Sequence, residues 1–303
     1  MESAKSNDTP KEAIFRLFDD KPPSGLSFLD FPEKPLPPPP PCLEFLPSEV
    51  SADVKCSMEP VNVAGITLLK GRVSTEEVFA LSNSDLVPGK YEGGLKLWEG
   101  SLDLIAALSS EMQNGRLSFT GKRVLELGCG HGLPGIFACQ KAAAAVHFQD
   151  FNAEVLRCLT IPNVTANIKE NPQYLSADVK EGGISTESET RFFSGDWGEV
   201  HSILDQAAGY DVILMAETVY SISALPNLYK LIKKCLSSPH GVVYMAAKKY
   251  YFGVGGGSRR FLSLVEKDGI LASSLVAEVA DGSSNVREVW RLQLNEFTVQ
   301  SSA

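Results

Sequence analysis

The stretch RVLELGCGHGLPGI, residues 123–136, carries more of the fold than any other part of the chain. A short run of mainly apolar residues ends at Gly128, glycines recur at 130, 132 and 135, and a helical apolar spacing follows from Leu133 to Lys141. A buried strand, a glycine-rich turn and a helix in immediate succession suit a nucleotide, because residues without a Cβ let the backbone approach a ligand over the strand's carboxyl end.

Working downstream, AVHFQD (145–150) reads as a second buried strand, and the helix after it places Val155, Leu156, Leu159 and, past Pro162, Val164 on one side. Phe192 and Phe193 lead to a strand end at Gly195-Asp196-Trp197, YDVILMAE (210–217) is a fourth strand, Leu225 to Leu236 a helix and GVVYMAAK (241–248) a fifth strand. LASSLVAEVA (271–280) and NVREVWRLQL (285–294) flank the turn residues Asp281-Gly282-Ser283-Ser284 and read as a hairpin. Upstream, Trp98 through Leu108 has helical spacing. Five parallel strands closed by a C-terminal antiparallel hairpin define an α/β chain of the class I, seven-strand, Rossmann-like methyltransferase layout, whereas dinucleotide-binding domains end on a sixth parallel strand.

The loop alone leaves the nucleotide open. Gly130-His-Gly132-Leu-Pro-Gly135 satisfies GxGxxG, which admits a nicotinamide-dependent oxidoreductase, while Glu126 two residues before Gly128 and Pro134 at the helix start suit S-adenosyl-L-methionine. His131 reads as a partly exposed spectator. Asp150 is placed to accept from both ribose hydroxyls, a role that both cofactors share. Asp196 offers an acceptor to the adenine amino group and Trp197 an aromatic face beside it. The fourth strand ends in Glu217-Thr-Val-Tyr220, so two polar side chains stand where a methyl acceptor would sit. A carboxylate taking the N–H of one imidazole nitrogen would fix the tautomer and leave the other nitrogen free to attack. Gly253 and Gly255 to Gly257 lack the Gly-Lys-Ser/Thr ending of a phosphate loop and read as a mobile, substrate-covering loop.

The remaining composition bounds the alternatives. In 303 residues of which 44% are hydrophobic, one core with sequence to spare is expected, and the formal charge of −9 disfavours a general nucleic-acid partner. The six cysteines form neither CxxC pairs nor a metal quartet, so no metal is expected and a reducing compartment, cytoplasmic and/or nuclear, fits. No apolar run is long enough for a signal peptide or membrane span. Pro22, Pro23, Pro32, Pro35 and Pro37 to Pro41 set residues 1–57 apart as a disordered Pro-rich tail, open to an SH3/WW-type partner, ahead of a domain at 58–303.

Lys96-Leu97-Trp98-Glu99, LELGCGHGLPGI, HFQDFN, SGDW, AETVY and KKYYFGVGGG together resemble the histidine protein methyltransferase 1 homolog family, a branch of the seven-strand protein methyltransferases with a (D/E)xxY motif, over about residues 88 to 270. The resemblance implies that Lys96, Leu97, Trp98, Glu99, Gly128, Gln149, Asp150, Phe151, Gly195, Asp196, Trp197 and Ala216 line the cofactor site, with Glu126, Gly130 and Gly132 added from the loop motif. It implies that Glu217 and Tyr220 face the acceptor, a histidine ring nitrogen of large-subunit ribosomal protein L3. A lysine acceptor, the oxidoreductase and a non-catalytic module docking through its Pro-rich arm remain the other readings.

Overall fold

The computed structural model describes residues 37–48, 55–82, 84–169, 188–204, 209–280, 282 and 285–295. Its strands are β1 (Leu43–Phe45), β2 (Ser57–Val63), β3 (Ile66–Arg72), β4 (Arg123–Leu127), β5 (Ala145–Asp150), β6 (Glu189–Ser194), β7 (Val212–Ala216), β8 (Val242–Lys248), β9 (Leu271–Val279) and β10 (Arg287–Leu294). The main sheet runs β1-β6-β5-β4-β7-β8-β10-β9, with β2 and β3 paired apart from it. β6, β5, β4, β7 and β8 are parallel. β10 is antiparallel to both β8 and β9, so the strand beside β8 opposes the direction that a dinucleotide fold would continue.

Alternation along the strands divides the core. Val124, Val146 and Leu214 face one side with Leu104, Ile105 and Leu108 of α2 (Glu99–Gln113) and Ile136 and Phe137 of α3 (Leu133–Gln140), after the short α1 (Thr75–Phe79). Leu125, Leu127, Ile213 and Met215 face the other. There they meet Leu228 and Ile232 on one helix, Leu225–Cys235, and Phe261 and Val265 on another, Ser258–Asp268. Chain order reverses at β4, with β5 on one side of it and β7 on the other, which opens a crevice over the strand ends.

After β5 the chain winds through α4 (Ala153–Val155), a π-helical turn (Leu156–Thr160), α5 (Ile161–Val164) and a second π-helical turn (Thr165–Lys169). Pro162 has no N–H to give, which favours a widened turn at this point. The helices Leu225–Cys235 and Ser258–Asp268 are α6 and α7. The β2–β3 hairpin was not legible in the sequence. It turns through Ala64 and Gly65, both at positive φ, and docks by hydrogen bonds from Gly71 N to Asn163 Oδ1 (2.6 Å) and from Leu69 N to Asn167 Oδ1 (2.8 Å).

Part of residues 1–57, expected as a disordered tail, is ordered chain. β1 pairs antiparallel with β6 from Leu43↔Ser194 to Phe45↔Phe192, Phe45 is 2% exposed, and Glu44 takes a bidentate bond from Arg191 (2.7 and 2.9 Å). The physical reason lies in the proline run: it ends at Pro41, and Leu43 to Phe45 recover the backbone N–H groups that a ladder needs. Residues 1–36, and the turn residues Asp281, Ser283 and Ser284, fall outside the described residues.

Candidate active site

The floor of the crevice is the loop after β4. Gly128, Gly130 and Gly132 have φ of 59°, 49° and 70°, and space as well as backbone angle demands glycine. A Cβ at 128 would lie 2.8 Å from Thr218 Cγ2, and one at 130 would lie 3.0 Å from Gly94 O. The loop carbonyls are tied down from the π-helical region: Thr160 Oγ1 donates to Gly130 O (2.6 Å) and Asn163 Nδ2 to His131 O (2.9 Å). Glu126 points beneath the loop, where its Oε2 accepts from Gly135 N at the start of α3 (2.8 Å). Burial raises its carboxyl to about 8 against that hydrogen bond, with Asp150's charge adding to the rise. Glu126, expected as a cofactor contact, is thus seen bracing the start of α3. His131 is also buried, not partly exposed; it bonds Leu95 O through Nε2 (3.2 Å), and burial lowers its pKa to about 4.

At the end of β5, Gln149 and Asp150 divide the labour. Gln149 is fully buried; its Oε1 accepts from Trp197 Nε1 (2.9 Å) and Gly128 N (3.3 Å), while Nε2 donates to Gly195 O (2.9 Å). It stitches two loops together rather than facing a ligand. Asp150 Oδ2 accepts from Gly130 N (2.9 Å) and Oδ1 from Asn152 N (3.0 Å). Each oxygen keeps a further lone pair for a hydroxyl donor. Burial holds this carboxyl at about 6, the two N–H groups opposing the rise and Glu92's charge adding to it. Phe151 is half-buried beside it. Asp196 Oδ1 caps Gly198 N (2.7 Å), Trp197 is half-buried, and a Cβ on Gly195 would overlap Cys42, so the segment leading into β1 covers this loop.

Residues 90–98 cross the mouth. Asn152 holds them by accepting from Glu92 N (3.0 Å) and donating to Lys90 O (2.9 Å). Trp98 Nε1 donates to Gly93 O (3.1 Å), and Leu97 packs on the core. Lys96 turns outward to Asp85 (2.5 Å) and over the Trp98 ring at 4.5 Å, so its charge is engaged at the surface and not in the crevice. Glu99, in the first turn of α2, is exposed but close enough to Glu217 to raise its pKa.

Opposite stand Glu217 and Tyr220, the residues expected to face an acceptor. Ala216 ends β7, and Glu217 follows at φ 57°, a left-handed conformation that costs a residue with a side chain about 1–2 kcal/mol. Its N–H is held by Ala246 O (2.8 Å). Tyr251 donates to Glu217 Oε2, and Tyr220 donates to Glu92 Oε2. The two rings meet edge to face at 6.4 Å. Glu217 Oε1 is buried with no hydrogen-bond partner among the described residues, and so is Thr218 Oγ1. Burial raises the Glu217 carboxyl, with the Tyr251 bond and Lys248's charge opposing; burial and the neighbouring carboxylates raise both tyrosines.

The end of the glycine loop, expected as a mobile cover, is bonded to the segment after Glu217. Gly256 N donates to Tyr220 O (3.0 Å) and Gly257 N to Val219 O (2.8 Å), an approach that a Cβ on Gly256 would block by overlapping both carbonyls. Glu92, Thr218 and Tyr251 are site residues that sequence reasoning missed; Thr218 and Tyr251 at least lay inside the AETVY and KKYYFGVGGG segments. The crevice fits S-adenosylmethionine on its own features: a buried acid with lone pairs to spare, glycines that keep the floor clear, a half-buried indole and an orphaned buried hydroxyl. Asp150, the 128–130 backbone, Trp197 and Thr218 would hold it.

A family model described as lysine methyltransferase matches residues 88–268. The histidine protein methyltransferase 1 homolog of Dictyostelium discoideum is 43% identical over 209 residues, 69% of this chain and 60% of that protein. The protein of the same description from Bos taurus is 36% identical over 236 residues, 73% and 62% respectively. The chain thus spans about three fifths of the length of these curated relatives. Among solved structures, a 16S rRNA methyltransferase of T. thermophilus in complex with AdoMet and guanosine aligns with TM-score 0.49 at 15% identity, covering 79% of this chain and 51% of that one.

Proposed function

We propose, for a chain that belongs to the lysine methyltransferase family, an S-adenosylmethionine-dependent protein N-methyltransferase whose acceptor is a histidine ring nitrogen. The observation that carries this reading is the pair of unlike oxygens on Glu217: Oε2 is occupied by the Tyr251 hydroxyl, while Oε1 is buried and unpartnered among the described residues. S-adenosylmethionine, when bound, supplies an electrophilic methyl carbon whose bond to the sulfonium breaks as its electron pair returns to sulfur. Glu217 accepts the N–H of a neutral imidazole, which fixes the tautomer and directs the other nitrogen's lone pair to form the new N–C bond. It then takes the ring proton that the methylated imidazolium sheds. Tyr220, whose hydroxyl donates a hydrogen bond to Glu92, would form a wall beside the ring. The names of the curated relatives support histidine, and the resemblance noted above makes ribosomal protein L3 the proposed substrate.

A lysine acceptor is the second reading, favoured by the description of the family model. The two differ in what the residues must do: lysine has to lose a proton of pKa near 10.4 before attack, whereas histidine is mostly neutral at pH 7. Labelled methyl transfer from S-adenosylmethionine into a cell extract, with the modified residue located by mass spectrometry, decides between them. The rate with histidine should level off above about pH 7, and with lysine it should keep rising beyond about pH 8. Methylation of lysine alone would overturn the histidine reading.

A further inference from the structure

We propose that Tyr251 is the positioning residue that sets acceptor specificity, by capping one oxygen of Glu217 so that a single carboxylate oxygen faces an acceptor with a single N–H. This inference rests on the histidine reading above and deepens it.

Tyr251 has little freedom to do otherwise. Its hydroxyl oxygen receives the Lys248 backbone N–H (3.3 Å), which leaves its proton to the Glu217 carboxylate. The ring is held by a closed backbone loop, Tyr251 N to Gly256 O (3.1 Å) and Gly255 N to Tyr251 O (2.9 Å). That loop is splinted to the segment after Glu217 through Val219 and Tyr220. Beyond it, Ser258 Oγ bonds the buried Glu288 (2.5 Å), which also takes Arg259 (2.5 Å) and Trp290 Nε1 (3.0 Å). The glycines of residues 253–257 therefore act less as a hinge than as the means of bringing two backbones together, so that Tyr251 meets Glu217 from 34 residues away.

The unpartnered oxygen is buried against α2, where only a glycine leaves room for the Glu217 side chain. A Cβ on Gly100, in the first turn of α2, would lie 2.6 Å from Glu217 Oε1. One open oxygen in a buried site matches the one N–H of a neutral imidazole. An ammonium brings three donors, and those without partners in a buried site cost about 1–3 kcal/mol each. With Tyr251 removed, both oxygens open and the discrimination weakens.

The test uses the full chain as wild type, Tyr251→Phe and Gly100→Ala. Tyr251→Phe keeps the ring and should fold; Gly100→Ala gains helix propensity but pushes the Glu217 carboxylate aside, so its Tm is measured alongside. Two measurements run in parallel. The first is the carboxyl carbon NMR titration of Glu217, assigned with Glu217→Gln, which needs no acceptor. The second is the rate of labelled methyl transfer to the acceptor protein found in extract and to its variant carrying lysine at the acceptor position. In Tyr251→Phe the Glu217 titration should move to higher pH, kcat for histidine should fall about tenfold or more with KM and S-adenosylmethionine affinity within about twofold, and the histidine-over-lysine preference should narrow by about tenfold. Gly100→Ala should lower transfer to histidine while leaving cofactor affinity within about twofold. If wild type methylates histidine and Tyr251→Phe keeps either its preference or its Glu217 titration unchanged, this inference alone is overturned. If wild type methylates no protein, or lysine only, the histidine reading fails and takes this inference with it.

Discussion

The two walls of the crevice are built from different donors. On the cofactor side, the carboxylates of Asp150 and Glu126 are met by the backbone N–H groups of Gly130, Asn152 and Gly135. On the side proposed for the acceptor, Glu217 and Glu92 are met by tyrosine hydroxyls 34 and 128 residues distant, and one buried oxygen of Glu217 has no partner among the described residues. Backbone donors are common to nearly all residues, so the first wall constrains sequence mainly through glycines that must lack a Cβ. Side-chain donors belong to particular residues, so the second wall is where a choice of substrate can be written. A nucleotide common to many enzymes needs only the first kind of recognition.

Glu217→Gln should break that contrast most sharply. Methyl transfer should slow by about 10² to 10⁴ while S-adenosylmethionine affinity, measured by calorimetry, stays within about twofold. Loss of cofactor binding with an intact transfer rate would move Glu217 to the other wall. Asp150→Asn tests that wall directly: loss of the charge from two hydroxyl contacts should weaken S-adenosylmethionine about tenfold to 10²-fold. The pH dependence follows from the raised carboxyl. Because Asp150 in the free protein titrates at about 6, affinity should be flat above that pH and fall towards tenfold per pH unit below it, as protons compete for the acceptor oxygens. The Asn variant should lose this dependence.

A smaller effect is expected from Gly130→Ala. Its left-handed φ of 49° and a Cβ only 3.0 Å from Gly94 O should cost about 1–2 kcal/mol, read as a lower Tm. An unchanged Tm would mean that residues 93–95 yield easily. Smallest is Lys96→Ala. The Lys96–Asp85 pair is 42% and 62% exposed, so its loss should change stability by under about 1 kcal/mol and leave cofactor affinity within about twofold. A large affinity loss would return Lys96 to the crevice, where the sequence had placed it.

These outcomes also bear on how far residues can be read without coordinates. Asp150 and Glu217 could be proposed from sequence because one ends an apolar strand and the other directly follows one, and strand ends in a parallel sheet converge on one edge. The internal hydrogen bonds of Glu126 and Gln149, in the same motifs, were not legible, since alternation says which face a residue takes and not what fills that face. The pairing of Lys96 with Asp85 was not legible, because a flexible charged side chain follows its nearest counter-charge, which no periodicity announces. The β2–β3 hairpin escaped notice although Ala64-Gly65 marks its turn, because Pro60 interrupts the strand pattern.

What the sequence by itself determined is whatever short-range physics enforces: the apolar strands, the helices between them, the glycines that must adopt positive φ, and the proline run that cannot pair. Tertiary structure alone decided that β1 closes the sheet edge, that the 253–257 loop is a splint, and that Tyr251 reaches Glu217 while Tyr220 reaches Glu92. The reason is that a hydrogen bond between residues 34 or 128 positions apart has no local signature. Its formation depends on how the whole chain closes, and only the packed sheet brings those partners within reach.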